Sequence, residues 1–291
     1  MADLHRRAGT LVDDADPVRL TAEDAAWARC GLRVLRLAAG EERSIETGDD
    51  EVVVLPLAIT GLVLDVDGER FVLDGRTSVF DRVTDFAYVG RDSLVRLHSA
   101  GGGEVAMATA RCERRLPARY GPAEEIPVEV RGAGVCTRQV TNFLSPDAWP
   151  HADRLMAVEL LTPGGNWSSY PPHRHDESAE CPVANEEIYY FQIAANAGTP
   201  GFGLHRLYTD DGTIDETVEV GDGDVFLIPR GYHGPCIAAP GHTMYYLNVL
   251  AGPGDRSMAF CDDPAHHWVR DSWADIDLDP RCPLTSAAGR A

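Results

Sequence analysis

From residue 33 onward the chain is a succession of short Val/Leu/Ile/Phe/Tyr runs broken by Gly, Asp and Asn: EVVVLPLAI, GLVLDVDGERFVLDG, SVFDRVTDFAYVG, EEIYYFQIA, TVEVGDGDVFLIPRG and TMYYLNVLAGP among them. Runs this short and this regularly spaced predict antiparallel strands closed into sandwiches or barrels. Asp67-Gly68, set between two alternating arms, predicts a two-residue hairpin. Only residues 21–29 (TAEDAAWAR) carry a helix signal, with Thr21 as N-cap and Asp24 three positions on.

Residues 115–127 (RLPARYGPAEEIP) combine three prolines, a glycine and charges without periodicity, the composition of a linker. Placing the boundary there predicts two β domains, 1–125 and 126–291, each of ordinary domain size. Eight of the ten histidines lie beyond residue 150, so metal or acid/base chemistry is expected in the second domain alone.

The charge balance removes whole classes of partner. With 46 acidic and 26 basic residues, a net charge of −20 repels nucleic acid and anionic lipid. The longest apolar stretch, Val52 to Leu64, is interrupted by Pro56 and Gly61 and is too short to span a bilayer. All 26 basic residues are arginine, which excludes lysine Schiff bases and P-loop lysines. Seven cysteines without a CxxC pair, and no apolar leader at the N-terminus, predict a cytoplasmic protein with reduced thiols.

Three elements carry candidate chemistry. In PPHRHD, period-two alternation points His173 and His175 to one face, where both imidazoles can reach one ion at roughly 2.1 Å. In EEIYYFQI the same alternation puts Glu187, Tyr189, Phe191 and Ile193 on one face, and a carboxylate on such an apolar face needs a partner. In GDGDVFLIPRGYH, Pro229 and Gly231 predict a tight turn that returns His233 beside the strand just left. Each element alone is also readable as surface or loop residues.

Together they resemble the cupin superfamily, whose paired motifs are G-x5-H-x-H-x3,4-E-x6-G and G-x5-P-x-G-x2-H-x3-N. Gly223, Pro229, Gly231 and His233 match the second motif with one residue fewer before the histidine. His173 and His175 match the first, while Glu187 follows His175 by twelve positions, across DESAECPVANE, with Glu177 and Glu180 closer. The strings TPGGNWSSYPPHRHD, EEIYYFQI, GFGLHRLYTDDGTIDET, GDGDVFLIPRGYHG and YYLNVLAGP resemble the 5-deoxy-glucuronate isomerase family of inositol catabolism, related to uronate ketol-isomerases. The likeness spans about residues 160–255, with softer similarity in the first half.

The resemblance implies an all-β chain of two cupin (jelly-roll-like) barrels with few short helices, of which only the second holds a divalent metal. It implies ligation by His173, His175, Glu187 and His233. Zinc or manganese fits that set, with iron or nickel also open. The implied reaction converts the aldehyde 5-deoxy-D-glucuronate to the ketone 2-deoxy-5-keto-D-gluconate, with a cis-enediolate route expected. Tyr189, Tyr190, Tyr246, His205 or a metal-bound hydroxide are the candidates for moving the proton. The small anionic sugar acid needs a cation, and Arg206 and Arg230 are the candidate clamp, because alternation turns Arg174 outward. A homo-oligomer is expected. The competing functions are a cupin dioxygenase and a non-catalytic sugar-acid-binding module.

Overall fold

The structure, a computed structural model, describes all residues except 1, 2, 15, 177, 179, 180 and 182. Strands dominate it. Among the described residues the only α-helix is the single turn Val269–Ser272, accompanied by three short 3-10 segments, so the all-β expectation holds.

In the first half, the 17-residue strand Asp50–Val66 organises a nine-stranded sheet. Its start pairs with Phe86–Val89 and Gly103–Arg111, and its end with Glu69–Arg76 and Leu94–His98. Pro56 does not stop the strand because the register shifts there, at a bulge between Pro56 and Ala58. The hairpin forms at Asp67-Gly68, whose φ values of 51° and 92° are those a two-residue turn requires. The interior of this half is a solid apolar core, with Leu35, Val54, Leu64, Leu97 and Val105 fully buried.

The helix expected over 21–29 does not form. Thr21 and Asp24 do exchange capping bonds, at 3.0 and 3.1 Å, yet Ala26 turns to φ 57° after one turn. The amides that would start the next turn, of Ala28, Arg29 and Cys30, instead donate to the Glu186 carboxylate at 2.7, 2.9 and 2.8 Å. An acceptor from the second half thus outcompetes a helix that is too short to be stable alone.

The second half is a barrel of two sheets. The seven-stranded sheet runs in the order His5–Arg6, Val225–Ile228, Glu186–Ile193, Met244–Ala251, Met156–Thr162, Arg138–Thr141, Val128–Arg131. The six-stranded sheet includes Gly203–Tyr208, Tyr232–Ala238, His173–Arg174 and Cys261–Asp262. The halves are interlaced: the strand His5–Arg6 completes the edge of the second-half sheet, and the Arg76 guanidinium reaches the buried Glu159 carboxylate of Met156–Thr162.

Cys181 and Cys261 form a disulfide, which corrects the expectation that all thiols are reduced. Eighty residues separate them in sequence. They meet because Cys261 pairs in register with Arg174, while the Cys181 sulfur lies 3.3 Å from the Arg174 carbonyl.

Candidate metal centre and its cavity

The turn at Pro229 to Gly231 does something different from returning His233 to the strand it left. Gly231 adopts φ 95°, and a Cβ there would stand 2.6 Å from the Tyr208 carbonyl oxygen. The chain therefore passes from the seven-stranded to the six-stranded sheet, and His233 aligns with His173 and Leu207 rather than with Val225–Ile228. Glu187, paired with Ile228 and Leu250, remains on the first sheet and faces His233 across the barrel.

His175, Glu187 and His233, all buried, bring one donor atom each within 4.8 Å of one another. Glu187 Oε2 lies 2.9 Å from His175 Nε2 and 3.0 Å from His233 Nε2. The His173 ring is adjacent, its centroid 4.3 Å from that of His233, outside the three-atom cluster. Glu177 and Glu180 lie outside the described residues.

The orientation of these rings decides what the cluster can hold. His175 Nδ1–H donates to the Asn185 carbonyl at 3.0 Å and His173 Nδ1–H to the Pro171 carbonyl at 3.2 Å, so in the neutral ring each Nε2 is a lone pair, and that of His175 meets Glu187 only through a proton or a cation. A lone pair facing a carboxylate oxygen at 2.9 Å is repulsive unless a proton or a cation lies between them. Both ring nitrogens of His233 are buried without a hydrogen-bond partner among the described residues. An unpartnered buried nitrogen beside a carboxylate and a second imidazole fits a divalent cation.

The charges are mutually adjusted. Burial alone would raise Glu187, yet the His233 and His175 imidazoles hold its carboxyl below the usual range. Burial pulls His175 down, but the hydrogen bond and charge of Glu187 outweigh it and leave His175 raised. Burial and the neighbouring His233 push His173 well below the ordinary histidine value, which keeps it neutral and able to donate a lone pair.

A cavity of about 680 Å³ opens over this cluster. Alternate residues of the seven-stranded sheet floor it: Glu187 and Tyr189, then Asn248, then Val158 and Leu160, then Arg138. His173, His175, Met258, Phe260 and Arg270 close the other side. Phe260 packs 4.8 Å from the His173 ring and gives the mouth of the centre an apolar wall.

Four candidate proton carriers separate clearly. Tyr189 lines the cavity, and burial followed by the Glu187 charge raises its hydroxyl well above the ordinary tyrosine value, so it is a neutral hydroxyl. Tyr246 stands behind it, ring centroids 4.9 Å apart. Tyr246 O–H donates to Ser168 at 2.8 Å and Ser168 to the Cys236 carbonyl at 3.2 Å. That leaves Ser169 to donate to Tyr246 at 3.0 Å and Tyr189 to Ser169 at 3.2 Å, a one-way chain of hydroxyls starting at the cavity wall. His205 is buried behind Tyr189 against Phe226, its Nδ1 3.1 Å from the Cys236 sulfur, and does not line the cavity. Tyr190 faces away, toward a separate cleft with Arg36 and Glu104 where the two halves meet.

The two arginines expected to clamp a carboxylate are elsewhere. Arg206 pairs with Asp215 at 3.0 Å and lies over the Tyr208 ring, and Arg230 pairs with Asp211 at 3.2 Å; Arg206 is half-buried, Arg230 is exposed, and neither lines the cavity. Arg174 does turn outward, to Asp210 at 2.7 Å and over the Tyr232 ring. The cavity arginines are Arg131, Arg138, Arg256 and Arg270, which sequence reading missed. The only available signal was alternation of Arg138 with Val140 on one strand, and an arginine on a strand reads as exposed.

Among the described residues no helix is long and apolar enough to cross a membrane. In sequence, the chain is 42% identical over 264 residues to the 5-deoxy-glucuronate isomerase of Geobacillus kaustophilus, covering 89% of this chain and 92% of the relative. It is 39% identical to that of Bacillus subtilis, covering 82% and 86%. In structure it matches an IolB-like protein of Salmonella typhimurium LT2 with a TM-score of 0.85 at 30% identity, over 92% of this chain and 100% of that one. An oxalate decarboxylase of Lactobacillus farciminis matches at a TM-score of 0.63 and 12% identity, over 88% of each chain, a likeness of cupin fold alone. The sequence model of the KduI/IolB family matches residues 5–269, and the chain belongs to the KduI/IolB family.

Proposed function

We propose that this protein is a metal-dependent aldose-ketose isomerase that converts 5-deoxy-D-glucuronate to 2-deoxy-5-keto-D-gluconate in myo-inositol catabolism. The observation that carries the reading is the buried convergence of His175, Glu187 and His233 in a polar-walled cavity. It joins the 42% identity to a relative named for that activity over most of both chains.

His175, Glu187 and His233, with His173 as the fourth donor, would hold one divalent cation, zinc or manganese by the three-nitrogen, one-oxygen donor set. Such an ion supplies positive charge that polarises a carbonyl oxygen and steadies the negative charge that develops on it.

The conversion moves the hydrogen of C2 to C1 and the hydroxyl proton of O2 to O1, so every atom lost at one carbon is regained at its neighbour. The Tyr189 oxygen, whose own proton points to Ser169, presents its lone pairs to the cavity. It takes the O2 proton and gives its own to O1, so no proton is left on the relay, while the hydroxyls of Ser169, Tyr246 and Ser168 hold the phenol in place. The apolar wall of Phe260, Leu160 and Val158 keeps the reacting carbons out of bulk water.

The test is metal analysis of the purified protein combined with a ketose assay on 5-deoxy-D-glucuronate. Ketose formation that disappears on chelation and returns on adding the metal is the expected result. Metal-replete protein that binds the sugar acid without forming ketose, or that consumes oxygen instead, would overturn the reading.

A further inference from the structure

We infer that Arg138 binds the carboxylate of the acid substrate, at the end of the cavity remote from Glu187. The inference rests on the isomerase reading only for the identity of the acid; the recognised group is a carboxylate on a polyhydroxylated chain.

The four cavity arginines differ in what already satisfies them. Arg131 is held in a fork by Glu129 at 2.9 and 2.7 Å, and Arg270 by Asp262 at 2.5 and 2.8 Å. Arg256 donates from all three nitrogens to the backbone carbonyls of Leu155, Trp149 and Leu144, a structural role. Arg138, unlike Arg131 and Arg270, has no acidic partner within ion-pair distance among the described residues, and unlike Arg256 its nitrogens are not all taken up by carbonyls. It is 4% exposed, its Nη1 reaches the Cys136 carbonyl at 3.1 Å, and its Nε has no acceptor.

A buried guanidinium without an ion-pair partner is costly, and on the wall of a cavity it favours an anion from outside. Burial pulls the Arg138 guanidinium down to about 10, with Tyr246 opposing and Arg131 and Arg270 adding to the fall. The Trp273 ring lies 5.7 Å from the guanidinium carbon, within cation-π reach. In a protein of net charge −20 this is the place where an organic anion gains rather than loses on entering.

Its position also suits the substrate. Arg138 lies on the same floor as Glu187 but three strands away in the sheet order. The aldehyde and the carboxylate of a uronic acid stand at opposite ends of the molecule, so one end can sit at the imidazole cluster while the other meets a guanidinium fork. Between them Asn248, whose Oδ1 is buried without a partner, offers an acceptor for a hydroxyl.

The experiment is calorimetric titration of the metal-replete protein with D-glucuronate and with D-glucose, in wild type, Arg138→Gln and Arg138→Lys, alongside metal content and melting temperature. Wild type should bind glucuronate at least about thirtyfold more tightly than glucose, the discrimination expected of a buried charge-assisted pair. Arg138→Gln should lose about that factor for glucuronate alone, with metal retained, and Arg138→Lys should recover part of it. Unchanged glucuronate affinity in Arg138→Gln, an equal loss for both sugars, or no preference in wild type would overturn the assignment. A wild type that prefers glucuronate through Arg138 yet forms no ketose would sink the isomerase reading and leave Arg138 in place.

Discussion

Glu187 and His233 stand on opposite sheets of the second barrel and bring Oε2 and Nε2 to 3.0 Å, with His175 at 2.9 Å from the same oxygen. One carboxylate oxygen is thus the meeting point of three chain segments. Glu187→Gln and His233→Ala should each abolish stoichiometric metal and ketose formation, read by elemental analysis and sugar assay. Chelation of wild type should lower its melting temperature and re-addition should restore it, because binding to the native state alone adds stability.

Tyr189→Phe should keep its metal and its fold while kcat falls about a hundredfold or more, the usual share of a positioned proton carrier. Tyr246→Phe, two hydrogen bonds further along the hydroxyl chain, should cost less. Equal losses in the two variants, measured with metal content held constant, would place the essential hydroxyl elsewhere.

Arg206→Ala and Arg230→Ala should leave KM for the acid within about twofold, since both are paired with aspartates away from the cavity. Steady-state kinetics on the two variants decides this. A strong rise in KM for either would return it to the substrate site.

Arg76→Ala should destabilise the protein by about 3–5 kcal/mol in reversible denaturation, because it strands the buried Glu159 carboxylate with only the Tyr245 hydroxyl, at 2.9 Å. The pair joins the two halves, so the loss should appear as a shift of the whole transition.

His205 is held down to about 3 by burial and then by the charge of His233. In the unfolded chain it takes up a proton near pH 6.5, whereas in the native state it stays neutral until much lower pH. The unfolded state therefore binds the extra proton between those values, and stability falls as pH falls from about 6.5 toward 3, by at most ~1.4 kcal/mol per pH unit from this group. His205→Phe should flatten that part of the stability profile, measured by denaturant midpoints at pH 7, 6 and 5. Parallel profiles for variant and wild type would show that His205 does not contribute it.

What the sequence determined is local. Period-two alternation assigned Glu187 and Tyr189 to one face and Tyr190 to the other, and Asp67-Gly68 specified its hairpin because the turn needs two positive φ angles. The residue types of HxH and of the turn before His233 picked out candidate donors, of which the structure brings His175 and His233 together with Glu187, since imidazole and carboxylate chemistry travels with the side chain.

Tertiary structure decided who faces whom. Alternation says which side of a strand a residue occupies but not which strand lies opposite, so it could not reveal that His233 crosses to the other sheet to meet Glu187. For the same reason it could not tell the inward Arg138 from the outward Arg206, or foresee Cys181 beside Cys261. The missing helix at 21–29 has the same origin: its capping residues act as their types dictate, and a carboxylate about 160 residues away in the chain takes the amides the helix needed. Contacts between segments far apart in the chain are set by the packing of whole sheets, and no local pattern encodes them.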